Sequence, residues 1–177
     1  ACLNSLGAIA EQRREYERAL EYFRQALDLA IQIGNAFAEA ALSANLAHLL
    51  YELKPDQPEV RIYAERGLQA SAAIKNIYVR AVALEVLGLL DLDAHRPGEA
   101  RDKLHAALAD MVALRSLPGT MSLVAALSRW AAETNEGALA APNRARIWRR
   151  WLAAIPCSIR SHMTRSRQHR QHSLCRW

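Results

Sequence analysis

Leu6 recurs as Leu46, Leu87 and Leu127, a period of 40 to 41 residues, and this recurrence constrains the fold more than any other property of the 177-residue chain. The next column runs Gly7, Ala47, Gly88 and Ser128, small in every copy. Further along the unit Ala19, Val60 and Ala100 align, as do Phe23, Ala64 and Leu104, then Ala26, Gly67 and Ala107. Each column keeps its size class, except that Ala64 is small where its mates are large. Units on this scale cannot bury their own apolar faces, so copies must stack and share a core.

The units read as helical. Ala19, Phe23, Ala26, Leu27 and Ala30 follow the i, i+3, i+4, i+7 spacing of one helix face. Aromatic residues make up only 6% of the chain, β-branched residues rarely run together, and no strand is expected. Junctions repeat as well, as Gly34-Asn35, Lys75-Asn76 and Arg115-Ser116. Gly34 suits the left-handed end of a helix and Asn35 the cap of the next. Asn76 is placed to cap a helix from Tyr78 to Ala94, and Pro97 to open one running to about Leu114. Pro118-Gly119 reads as a break. The turn from Lys54 to Pro58 carries the extra residue that makes the second unit 41 long.

Ala19, Phe23 and Ala26 lie 12, 16 and 19 residues after Gly7, and Ala100, Leu104 and Ala107 keep those intervals after Gly88. Together with the Leu-Gly pair, this pattern resembles the tetratricopeptide repeat, and Tyr16 to Leu27 matches its second helix well. The usual period of that family is shorter, and HEAT or armadillo repeats occupy the observed range. The Leu-Gly to Ala-x3-Phe-x2-Ala spacing favours a long-period tetratricopeptide variant of the kind found in bacterial regulators. The resemblance implies an all-α, right-handed superhelical solenoid of antiparallel helix pairs over residues 1–137. Residues 138–156, with Ile147, Trp148, Trp151 and Ile155 near helical spacing, are expected to form a capping helix, and 157–177 a basic, disordered tail.

In that family the first helix of each pair lines a concave groove that takes a protein or peptide segment. Carried across, the groove positions are Asn4, Ala8 and Glu11 in the first unit, Ala44, Asn45, His48 and Tyr51 in the second, Glu85, Leu89 and Leu92 in the third, and Arg129 in the fourth. The resemblance implies that Asn45 hydrogen-bonds the backbone of a bound peptide, since an amide both donates and accepts. A solvated surface asparagine is the plainer reading of the same residue. The basic clamp of chaperone-binding members is missing, because Asn4, Ala8, Ala44, His48 and Glu85 stand where it would be. A mixed apolar and acidic groove favours a partner with Leu or Phe and some basic residues.

No glycine-rich phosphate loop, H-E-x-x-H or G-x-S-x-G motif is present, which points to an interaction scaffold rather than an enzyme and implies no cofactor or metal. His95 and His105 read as surface residues. Cys2, Cys157 and Cys175 form no C-x-x-C pair, and the Cys and His residues of the tail match no standard zinc spacing. The net charge of +5 is uneven: residues 138–177 hold nine Arg with no Lys and no acid, leaving 14 basic against 18 acidic residues before them. That tail opens an alternative, a nucleic-acid-associated protein whose repeats are only structural. No apolar stretch reaches the length of a membrane span, and the start is not a secretion signal. A cytoplasmic protein is expected, a piece of a larger regulator, since Ala1 already reads as lying within a helix. High Ala and Arg with three Lys point to a bacterial source.

Overall fold

The structure, a computed structural model, describes residues 2–134. Seven helices fill this span: α1 (Cys2–Gln12), α2 (Tyr16–Gln32), α3 (Ala36–Leu53), α4 (Pro58–Ile74), α5 (Ile77–Asp93), α6 (Pro97–Ala113) and α7 (Leu117–Glu133). There is no strand among the described residues. The expected capping helix and basic tail lie outside them.

Five of the six turns between these helices share one construction. Arg14, Gly34, Lys75, His95 and Arg115 take left-handed φ values of 53 to 67°. The next residue then donates its N–H to the carbonyl five positions back, as Glu15 does to Ala10, Asn35 to Ala30, Asn76 to Ser71, Arg96 to Asp91 and Ser116 to Met111, at 2.8 to 3.0 Å. This is the Schellman closure, which satisfies helix-end carbonyls that would otherwise be orphaned. That donor residue also precedes the following helix directly. Asn35 accepts from the Ala38 N–H at 3.0 Å, and Asn76 accepts from Tyr78 and Val79, both as N-caps. The α3–α4 turn differs: it has no left-handed residue, and Gln57, extended at ψ 131°, precedes Pro58 at the first position of α4.

Pro118-Gly119 does not break the chain. Both lie in the first turn of α7, where a proline has no missing partner to regret, and the break falls at Arg115. The helices placed at Tyr78–Ala94 and Pro97–Leu114 are each within one residue of α5 and α6.

Three of the four repeated small residues, Gly7, Ala47 and Gly88, sit where helices meet, while Ser128 is exposed. A Cβ on Gly7 would lie 2.5 Å from the Phe23 ring, and one on Gly88 would lie 2.8 Å from Leu104 Cγ. Gly7 and Phe23 are equidistant from Glu15, and Gly88 and Leu104 from Arg96, as they must be when a helix doubles back on its predecessor. In the α3–α4 pair the same register holds Ala47 and Ala64, both fully buried. The first partner gains a methyl and the second loses its bulk, so the exception at Ala64 is compensated across the contact. Here the backbones come close, for a Cβ on Gly67 would stand 3.2 Å from the Ala44 nitrogen.

Each helix packs on the next, and α5 also packs against α3 and α7. One apolar cluster centres on Phe23, Leu46, Leu50 and Val60, a second on Val82, Leu104, Met111 and Leu123. The repeated leucine is buried at Leu46 and Leu87 but 43% exposed at Leu6, which has described neighbours on one side only.

Candidate functional site

Two clefts open among the odd-numbered helices, and the side chains expected to line a groove divide between them. Glu11, Asn45, His48 and Glu85 come together in a cavity of about 330 Å³. Tyr51, Leu92 and Arg129 line another of about 470 Å³. Asn4 is exposed, while Ala8 and Leu89 are half-buried, and none of the three lines either cleft. Ala44 is a correction: it is 1% exposed and packs on Gly67, so it belongs to the α3–α4 interior. Successive helix residues are about 100° apart, so Asn45 can face the cleft while its neighbour cannot.

The smaller cleft draws on five helices. Glu11 comes from α1, Asn45 and His48 from α3, Tyr78, Val82 and Glu85 from α5, and Met111 from α6. The first turns of α7 complete it with Pro118, Gly119 and Ser122. Glu85 is 4% exposed and accepts a 2.5 Å hydrogen bond from the Ser122 hydroxyl. Burial pushes its carboxyl above the usual 4.5, although the Ser122 hydrogen bond and nearby His48 favour the charged form; Glu52 adds a like charge that works with burial. A carboxylate can accept about four hydrogen bonds, and among the described residues Glu85 receives this one.

The larger cleft is cross-linked by its own side chains. The Tyr51 hydroxyl of α3 donates to Asp93 of α5 at 3.0 Å and accepts from Arg129 of α7 at 3.0 Å. Arg129 also pairs with Asp93 and, at 2.7 Å, with Glu133. Desolvation and the Asp93 carboxylate push the Tyr51 hydroxyl up to about 12, and hydrogen bonding to Asp93 raises the Arg129 guanidinium further above its ordinary value. Three helices are thereby tied through one tyrosine and one arginine.

A third polar centre lies on the other side of α5. Asp91 is fully buried and receives Arg61 of α4 at 3.1 Å, Arg96 at 2.6 Å and Lys103 of α6 at 2.5 Å. Burial alone would raise its pKa, but hydrogen bonds from Lys103 and Arg61 and the charges of Lys103 and Arg96 outweigh it and hold the carboxyl below 3.8. Arg80 and Asp110 form a bidentate pair between α5 and α6.

The chain matches no family model and no curated protein.

Sequence reasoning named four of the side chains in the smaller cleft and missed Tyr78, Val82, Met111 and Ser122. It also missed Asp91 and Asp93. One signal was available: Glu85 and Asp91 are acids inside the apolar run of α5, where an unpartnered charge would be costly. Apart from Arg96, five residues beyond Asp91, the partners are 12 to 42 residues away and leave no local mark.

Proposed function

We propose that the helices form a right-handed superhelical stack of antiparallel pairs of the tetratricopeptide kind, and that its inner face binds a segment of a partner protein. The cleft of about 330 Å³ carries this reading, because α1, α3, α5 and α7 each send side chains into one depression. In a stack of helix pairs, the first helices of successive units are the ones that line the inner face. The shared small-to-large register of Gly7 with Phe23 and Gly88 with Leu104, and the packing of α5 on both α3 and α7, support the same arrangement.

The chemistry of the depression describes its partner. Val82 and Met111 offer apolar surface, Asn45 and Tyr78 offer hydrogen bonds, and Glu11 and Glu85 offer negative charge. An extended or helical segment with an apolar anchor and a basic residue complements that set. The role is one of recognition within a larger cytoplasmic regulator, without catalysis.

Peptides selected from a random display library against the full chain test the reading by fluorescence anisotropy. Asn45→Ala combined with His48→Ala is expected to weaken selected peptides about tenfold, while removal of residues 138–177 leaves them bound. Peptides that bind the double variant unchanged, or that are lost with the tail and fade steeply with salt, would instead place recognition in the basic segment.

A further inference from the structure

We infer that the cleft around Glu85 is a receptor for a cationic head on an alkyl stem, the chemistry of an arginine or lysine side chain. The groove reading supplies the source of that cation, a bound protein segment, whereas the receptor itself stands on the geometry of the cleft.

Glu85 is more than nine-tenths buried, yet it lines a cavity and has one neutral donor, Ser122, among the described residues. A buried carboxylate is normally stabilised by paired charge, as Asp91, on the same helix as Glu85, is by three cations from outside that helix. Among the described residues no lysine or arginine lines the Glu85 cleft, and the second carboxylate there, Glu11, adds to the deficit. Among the described residues His48 is the one lining side chain able to carry a positive charge. A guanidinium or ammonium entering the cleft would supply both the missing donors and the missing charge.

The walls select the rest of the ligand. Val82 and Met111 give an apolar lining for a methylene stem, and Tyr78, half-exposed at the start of α5, supplies an aromatic ring at the cleft with which a cation can interact. The volume lies at the low end of the roughly 300–1,000 Å³ typical of ligand pockets, which suits one side chain better than a large molecule. Among the described residues no three His, Cys, Asp or Glu groups converge as a metal would need, so an organic cation fits the site better than a metal ion.

Two probes test this on the full chain: agmatine, and a capped pentapeptide with a central arginine beside a leucine, paired with the same peptide bearing uncharged citrulline. Binding is followed by the NMR signals of the Asn45 amide and His48 ring in the unsubstituted protein, in Glu85→Gln, and in Glu65→Gln as an exposed control. Thermal unfolding of each variant confirms that it is folded. The expected result is that agmatine and the arginine peptide shift those signals, weaken about tenfold in Glu85→Gln and stay within about twofold in Glu65→Gln, with citrulline binding about tenfold more weakly than arginine. Equal affinity of Glu85→Gln for both probes, or no shift at Asn45 and His48 with either at millimolar concentration, overturns the receptor. Arginine and citrulline peptides that bind the cleft alike overturn the receptor and leave the groove standing. Agmatine that depends on Glu85 while neither peptide binds leaves the receptor and sinks the groove.

Discussion

The two sides of α5 handle buried charge in opposite ways. Toward α4 and α6, Asp91 is surrounded by Arg61, Arg96 and Lys103 and its pKa falls; toward α3 and α7, Glu85 meets a serine hydroxyl and its pKa rises. Both carboxylates are buried to a similar depth, so burial alone does not explain the contrast. Their partners do. The α4 and α6 side is internally complete and serves stability. The α3 and α7 side is complete at Asp93, where Tyr51 and Arg129 close a network, and incomplete at Glu85.

The strongest way to break this contrast is Asp91→Ala. It removes the buried carboxylate on which three cations converge, and although Arg61 keeps Glu65 and Arg96 and Lys103 keep Glu99 at longer range, a loss of about 2 kcal/mol in urea denaturation is expected. Because the folded pKa of Asp91 is depressed, its contribution is present above the unfolded value of 3.8 and is lost as pH falls through the folded pKa. The difference between Asp91→Ala and the parent protein therefore shrinks in strong acid. A difference that persists unchanged below the folded pKa would show that the ion cluster is not its origin.

Gly88→Ala probes the packing on the same side. Its new methyl meets Leu104 at 2.8 Å, and after the gain in helix propensity a net loss of about 1.5 kcal/mol is expected. In a Leu104→Ala background the same change becomes stabilising, since it reproduces the Ala47 and Ala64 pair of the α3–α4 contact. Additive single and double variants would refute that compensation.

On the opposite side, Tyr51→Phe removes the hydroxyl shared by Asp93 and Arg129, at a cost of about 1 kcal/mol. The raised pKa of Tyr51 means that its contribution is complete below 10 and lost as pH climbs to about 12. Ultraviolet titration should show a phenolate component near 12 that vanishes in Tyr51→Phe.

Glu85→Gln is expected to have the smallest effect and the opposite sign, a gain of about 0.5 kcal/mol at neutral pH, because it removes a buried carboxylate that no lysine or arginine among the described residues of its cleft compensates. A carboxyl with a raised folded pKa gives its full share of stability below the unfolded value of 4.5 and loses it as pH rises through the folded pKa. The gain should thus fade toward acid. A destabilising Glu85→Gln at neutral pH would mean that the carboxylate is structurally paired after all.

How much of this was legible in the sequence depends on the distance over which each feature is encoded. The periodic columns, the caps at Asn35 and Asn76, the left-handed end at Gly34 and the junctions at Lys75 and Arg115 are local or repeated and could be read, whereas the left-handed backbone of Lys75 and Arg115 could not. Pro118-Gly119 misled because proline and glycine punctuate many chains, yet here Pro118 opens a helix and Gly119 makes room for Met111. Ala44 misled because the close approach of α4 at Gly67, which covers it, lies 23 residues away and is not visible in the local pattern. The charge networks could not be read. Arg129 and Tyr51 are 78 residues apart, and their contact exists only once α3, α5 and α7 are assembled.

The closed Schellman turns also determine where this chain can change length. In five junctions the last carbonyls of one helix and the first residue before the next are joined by the same hydrogen bond, so an added residue has no slack to occupy. It would instead wind the following helix by about 100° and carry its inward side chains out to the solvent. Lys54–Gln57 has no such closure and already holds an extra residue. That segment is the natural port for grafting a tag, a spectroscopic reporter or a new binding loop without disturbing the registry of the helices around it.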